Sequence, residues 1–142
     1  METEFLKIKD QPYGPDTSSV ERNYLKEQVG IIEGNIVTWK EVPKPSIYQI
    51  EVFSEKVREL TQDLDSFHML IDLTEAGRPN PEIIEFLRGM FQSHDKLCRI
   101  AIFTQKNVLL NAAAKFILLR AGHTSFSIHK YKEEAMEALK NV

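Results

Sequence analysis

The sequence holds a single cysteine, Cys98, among 142 residues. One cysteine excludes an intramolecular disulfide framework and a zinc ribbon. Charge of one sign is missing too: 18 basic and 21 acidic residues leave a formal net charge of −3. That balance gives no basic bias, and no nucleic-acid partner is expected. Long apolar runs are absent. The most apolar window, Val108 to Leu119, is interrupted by Asn111 and Lys115 and falls short of the roughly 20 apolar residues that span a bilayer. The N-terminal stretch METEFLKIKDQPYGPD is charged throughout and lacks the apolar segment of a secretory signal. A soluble, cytoplasmic chain without a membrane span is the expectation, and the lone cysteine fits a reducing compartment. There is no Gly-x-Gly-x-x-Gly or Walker loop and no His-Glu-x-x-His pair. No internal repeat or low-complexity tract interrupts the chain.

What is present is an ordinary globular composition, 42% hydrophobic and 27% charged, which disfavours disorder, collagen and coiled coil. The length suggests one domain, large enough to bury roughly 68–70% of its unfolded surface. Residues 1–23 read as a loop-rich lead-in, in which Phe5, Leu6 and Ile8 can add a short strand and QPYGPDTSS supplies turn formers. Residues 24–142 read as the folded domain.

Within it, Val29-Gly30-Ile31-Ile32 and Ile36-Val37-Thr38-Trp39 flank Glu33-Gly34-Asn35, the pattern of a hairpin. Pro43 and Pro45 end the second strand. Ser46 and Gln49 have capping-box spacing. They open a helix of about 17 residues whose apolar stripe is Ile47, Ile50, Phe53, Val57, Leu60 and Leu64. Its other face, Glu51, Glu55, Lys56, Arg58 and Glu59, is expected in water. FHMLIDL (Phe67 to Leu73) reads as a strand buried on both faces. Asn80 and Pro81 are placed to cap and open the next helix, which buries Ile83, Ile84, Leu87, Met90 and Phe91. CRIAIFT (Cys98 to Thr104) is a second core strand. Asn107 can cap a third helix, Val108 to Ala121, closed by Gly122. SFSIHK (Ser125 to Lys130) is a third strand, and Tyr131, Ala135, Ala138 and Leu139 mark a final helix. Strands alternating with helices predict an α/β fold: a mixed, mostly parallel sheet with an antiparallel edge hairpin and about four helices.

From Val29 to Leu139 this layout resembles a STAS-type domain, and more narrowly the small SpoIIAA-like bacterial proteins that share the STAS/CRAL-TRIO type of sheet. The resemblance is carried by Ile71-Asp72-Leu73-Thr74 at a strand end and by the closing Phe126, Ile128, Glu133, Glu134 and Ala135. It implies a role in protein interaction or ligand sensing rather than catalysis. Family members of the anti-anti-sigma type carry a phosphorylatable serine at the start of the helix after the Asp-Leu-Ser strand. Aligned on Asp72, that place falls at Asn80-Pro81. Proline has no hydroxyl, so the resemblance does not carry the phosphorylation switch to this chain.

The candidate ligand site is a polar rim at the carboxyl edge of the sheet, where open α/β sheets bind ligands. It joins Asp72, Thr74, Arg78 and Asn80 from one loop to Thr104, Gln105 and Asn107 from the next. Helix N-termini at Pro81 and Val108 would aim free N–H groups at an anion there. Each of these residues also has a plain reading, Asp72 as the organiser of the Thr74–Gly77 turn and Asn80 and Asn107 as caps. The four histidines, His68, His94, His123 and His129, read as surface or strand-edge residues, and Cys98 as a small buried hydrophobe. The third helix is apolar nearly all round. Either this chain covers it or its Ala112, Ala113, Phe116 and Leu119 meet a second subunit. Together these readings predict a non-enzymatic STAS-like module without cofactor or metal, acting as a homodimer or with a protein partner and taking a small anion. The alternative is a CRAL-TRIO-like holder of a lipid or other apolar molecule.

Overall fold

The computed structural model describes residues 14, 16, 18–77, 80–106 and 125–140. Among them the chain runs through α1 (Ser19–Glu27), β1 (Val29–Ile32), β2 (Ile36–Lys40), α2 (Ile47–Thr61), β3 (Phe67–Asp72), α3 (Pro81–Ser93), β4 (Leu97–Phe103), β5 (Phe126–His129) and α4 (Lys132–Lys140). The expected third helix, with Asn107, Ala112, Ala113, Phe116 and Leu119, lies outside the described residues, as do Arg78 and His123.

The five strands form one sheet whose spatial order is the chain order. β1 and β2 are antiparallel, paired from Val29 opposite Trp39 to Ile32 opposite Ile36. The turn between them needs left-handed backbone at Glu33 (φ 51°) and Gly34 (φ 84°), which a glycine supplies without steric cost. The other three pairings are parallel. The fold is therefore the α/β arrangement with a mixed sheet that the alternating pattern predicts.

Strand alternation sends side chains to two faces. Val37, Trp39, Met69, Ile71, Ile100 and Ile102 join the larger core, which α2 and α3 cover with Ile50, Phe53, Val57, Leu87 and Phe91. Trp39 is its centre, edge-on to Phe53 at 4.9 Å between ring centroids. Ile36, Leu70, Ala101 and Phe103 face the other way, against Ala135 and Leu139 of α4.

Local signals account for the helix starts. The Ser46 hydroxyl accepts from the Gln49 N–H, and the Gln49 amide oxygen accepts from the Ser46 N–H. The Asn80 side chain accepts from the Ile83 N–H at 2.9 Å, with Pro81 in the first helical position.

Three features differ from the sequence reading. Residues 19–27, within and just past the predicted lead-in, form α1, opened by a second capping box between Ser18 and Glu21. α1 docks through the buried Leu25 and ion pairs from Arg22 to Glu55 and Lys26 to Glu59. Cys98 is exposed rather than buried. The reason is a register shift: Phe67 pairs with Leu97 and His68 with Arg99, which leaves Cys98 as an extra residue. A bulge of this kind turns one side chain off the alternation. Finally, His94 is a core residue at 6% exposure, not a surface one, because Ser54 of α2 gives its ring a hydrogen-bond partner.

Candidate functional site

Parallel pairing aligns the carboxyl ends of β2 to β5, so Lys40, Asp72, Phe103 and His129 form one row across the sheet. The ladder runs one step further. Glu41 N–H donates to Asp72 O, Leu73 N–H to Phe103 O and Thr104 N–H to His129 O, each at 3.0–3.1 Å. Gln105, with φ 48°, adds a 2.7 Å bond to Lys130 O. This edge is the one predicted to carry the rim.

Among the described rim residues, Asp72 and Thr104 do not converge. By alternation Asp72 belongs with Lys40 and Phe103 on the α4 face, whereas Thr104, 1% exposed, follows Phe103 and turns toward α2 and α3. Asp72 lines a shallow cleft of about 220 Å³ with Lys40, Phe103 and Lys132. Its Oδ1 accepts from the Thr74 N–H at 2.9 Å and the Thr74 hydroxyl at 2.7 Å, so the turn-organising role is the one the geometry displays. Asn80 is engaged as the cap of α3. Lys40 pairs with Glu75 at 2.7 Å, and that hydrogen bond raises its pKa.

The loop after β3 is held against the loop after β2 at close quarters. A Cβ on Gly77 would sit 1.8 Å from the Pro43 carbonyl oxygen, so only glycine allows the two backbones to meet there.

Sequence reasoning missed the most unusual group on this edge. Glu41, one residue past β2, is 6% exposed. Its Oε1 accepts from the Val42 N–H at 3.0 Å and from the Gln49 side-chain amide at 2.7 Å, and its Oε2 from the Trp39 indole at 3.4 Å. Burial pushes its pKa up to about 7, against the pull of those three donors. Gln49 thus works twice, holding Ser46 with its oxygen and Glu41 with its nitrogen. The position of Glu41 at a strand's carboxyl end, the criterion that singles out Asp72, was the available signal.

A second buried polar pair lies away from the edge. Ser54 Oγ and His94 Nε2 share a 3.1 Å hydrogen bond. Burial, with Arg58 adding to it, lowers the His94 pKa to about 4, so the ring is neutral near pH 7. On β3, burial and the Arg99 charge lower the pKa of His68, whose Nδ1 is buried without a hydrogen-bond partner. Among the described residues no group of three His, Cys, Asp or Glu side chains is placed to hold a metal ion. No helix among them is long and apolar enough to cross a membrane. No family model, curated protein or solved structure matches the chain.

Proposed function

We propose that the chain is a non-enzymatic, STAS-like module for protein interaction or small-ligand sensing that works through the carboxyl edge of its sheet. One observation carries this reading: the two strand-end carboxyl groups, Asp72 and Glu41, are spent on shaping the loops of the edge. Asp72 fixes the Thr74 turn, and Glu41 ties β2, the following loop and α2 together. Such bracing suits a preformed recognition surface better than proton transfer, which needs a carboxyl group within reach of a reacting proton.

The layer beneath is filled by Trp39, Phe53, Phe67, Met69 and Phe91, which favours this reading over a lipid holder that needs interior space. A small phosphate or carboxylate is the proposed ligand, taken at the rim to which Asp72, Thr74, Arg78, Asn80, Thr104 and Asn107 contribute from the two faces of the sheet edge. Ala112, Ala113, Phe116 and Leu119 are proposed for a homodimer contact in the cytoplasm.

Native mass spectrometry of the full chain tests both arms. A dimer mass, or a bound small polar molecule, is the expected result. A bare monomer whose Gly77 and Thr104 amides stay unmoved by millimolar phosphate or acetate in NMR titration refutes the proposal.

A further inference from the structure

The Glu41 carboxyl group is buried without a countercharge. Glu41 takes part in none of the ion pairs among the described residues. Lys40 of β2 and Asp72 of β3 belong to the opposite face of the sheet, and Lys40 is held by Glu75. Lys44 of the loop after β2, Glu51 of α2 and Glu82 of α3 are exposed. An ionised carboxylate is costly in such a place. The neutral acid fits it with little loss. Oε1 remains a carbonyl that accepts from Gln49 at 2.7 Å and Val42 at 3.0 Å, and a proton on Oε2 displaces only the 3.4 Å bond from the Trp39 indole.

The parts that this group joins differ in firmness. Trp39 is fixed in the core, and the Glu41 N–H is laddered to Asp72 O. The loop that follows is looser at its surface, with Pro43 and Lys44 exposed and Pro45 and Ser46 half-buried. A charge on Glu41 therefore reaches water by displacing this loop rather than the strand. The loop bears in turn on the one after β3. A Cβ on Gly77 would lie 1.8 Å from the Pro43 carbonyl oxygen, so a shift of one backbone is felt by the other. The ion pair of Lys40 with Glu75 ties the bases of the same two loops.

We propose that Glu41 is a proton-operated latch on the carboxyl edge of the sheet. Protonated, it holds the loop after β2 against α2 and keeps the edge closed. Ionised, it frees that loop and, through Pro43 and Gly77, loosens the turn at Thr74 and Ala76. The sign follows from linkage: the closed state binds this proton more tightly than an open, solvated one, so rising pH favours opening. Burial pushes the carboxyl up to about 7, and the change falls near neutral pH. The consequence for a ligand rests on the recognition role proposed for this edge: an anion meets a firmer and less negative edge on the acid side. The motion itself does not rest on that role and is read without ligand.

The test is NMR of the isotopically labelled full chain, without ligand, from pH 5 to 8. The Glu41 carboxyl carbon, the Trp39 indole N–H and the amides of Val42, Thr74 and Gly77 are expected to shift with one shared midpoint. Trp39 is the single tryptophan, so its indole is read without overlap. Amide-exchange protection at Thr74 and Ala76, corrected for the intrinsic effect of pH, is expected to fall about fivefold or more from pH 5 to pH 8, the effect of losing one net hydrogen bond. It should stay below that of Met69 and Ile100 in the core, which marks the opening as local. In Glu41→Gln, neutral at every pH, the shared midpoint should vanish, and protection at pH 8 should match the parent's at pH 5. His68 and His94 are common to both chains and cancel in the comparison. Thermal melts establish that the variant is folded; if it is not, the midpoint shared by the Glu41 carbon and the Thr74 amide of the parent decides. A Glu41 carbon without a transition, loop amides that stay fixed while that carbon titrates, or the same loop transition in Glu41→Gln would overturn the proposal.

Discussion

Replacing Glu41 with glutamine should change how stability depends on pH, and the structure sets both sign and size. Burial raises the Glu41 carboxyl from an ordinary 4.5 to about 7 in the folded chain. The folded state thus holds this proton more tightly than the unfolded one. Its contribution is complete below pH 4.5 and is lost as pH rises through about 7. Two and a half powers of ten in proton affinity, at about 1.4 kcal/mol each, amount to about 3 kcal/mol between pH 4.5 and 8. Glu41→Gln removes the ionisation and keeps an oxygen for Val42 and Gln49, but sets an amide N–H against the Trp39 indole. That mismatch costs about 1 kcal/mol. By pH 5 the parent has already lost about 1 kcal/mol of this contribution, so the two should be about equally stable there, and the variant should be more stable by about 2 kcal/mol at pH 8. His94 slopes the other way: its pKa is lowered from 6.5 to about 4, so its contribution is lost as pH falls through that window. Because His94 is common to both proteins, urea midpoints measured at each pH from 5 to 8 isolate Glu41 by difference. Parallel curves for parent and variant would refute the reasoning.

Three further outcomes are expected. Gly77→Ala puts a Cβ 1.8 Å from the Pro43 carbonyl oxygen and should lower stability by about 1–3 kcal/mol or more, read from the denaturant midpoint. Asn80→Ala removes the side chain that accepts from Ile83 N–H and should cost about 1 kcal/mol, with loss of amide-exchange protection confined to the first turn of α3. Ser54→Ala leaves the buried His94 Nε2 unpaired and should cost about 1–3 kcal/mol. A double-mutant cycle with His94→Phe should recover part of that cost, and strict additivity would show that the pair does not interact.

The elements legible in the sequence are those written in local chemistry. Ser46 with Gln49, and Asn80 with Pro81, mark helix starts that the structure reproduces with their side-chain bonds. The run Phe67 to Leu73 reads as a strand because it is buried on both faces, and Phe67–Asp72 is β3. Three features were hidden because their cause lies in a different element from the residue itself. Glu41 looks like a solvated charge before two prolines until Gln49, eight residues on, closes over it. His94 is buried by a serine 40 residues away. Cys98 escapes the core through a register shift against β3, which no pattern within its own strand encodes. α1 is the exception. Its Ser18–Glu21 capping box was legible, but the turn formers before it dominate the composition of that stretch. For the rim, strand ends were readable while the face each side chain takes was not, since Asp72 and Thr104 diverge only through the alternation of the assembled sheet.

The sheet's order, β1 to β5 without a crossing, also bears on how the chain is made. Each strand after the first pairs with the one immediately before it in the sequence, so no strand must be threaded between two that have already joined. As residues leave the ribosome from the amino end, every emerging strand finds its template already present on one side only. α4, the last of the described elements, packs on β3, β4 and β5 and returns Lys140 to within 3.3 Å of Glu33 in the hairpin turn. A later segment is thereby tied to an earlier one, across more than 100 residues of chain.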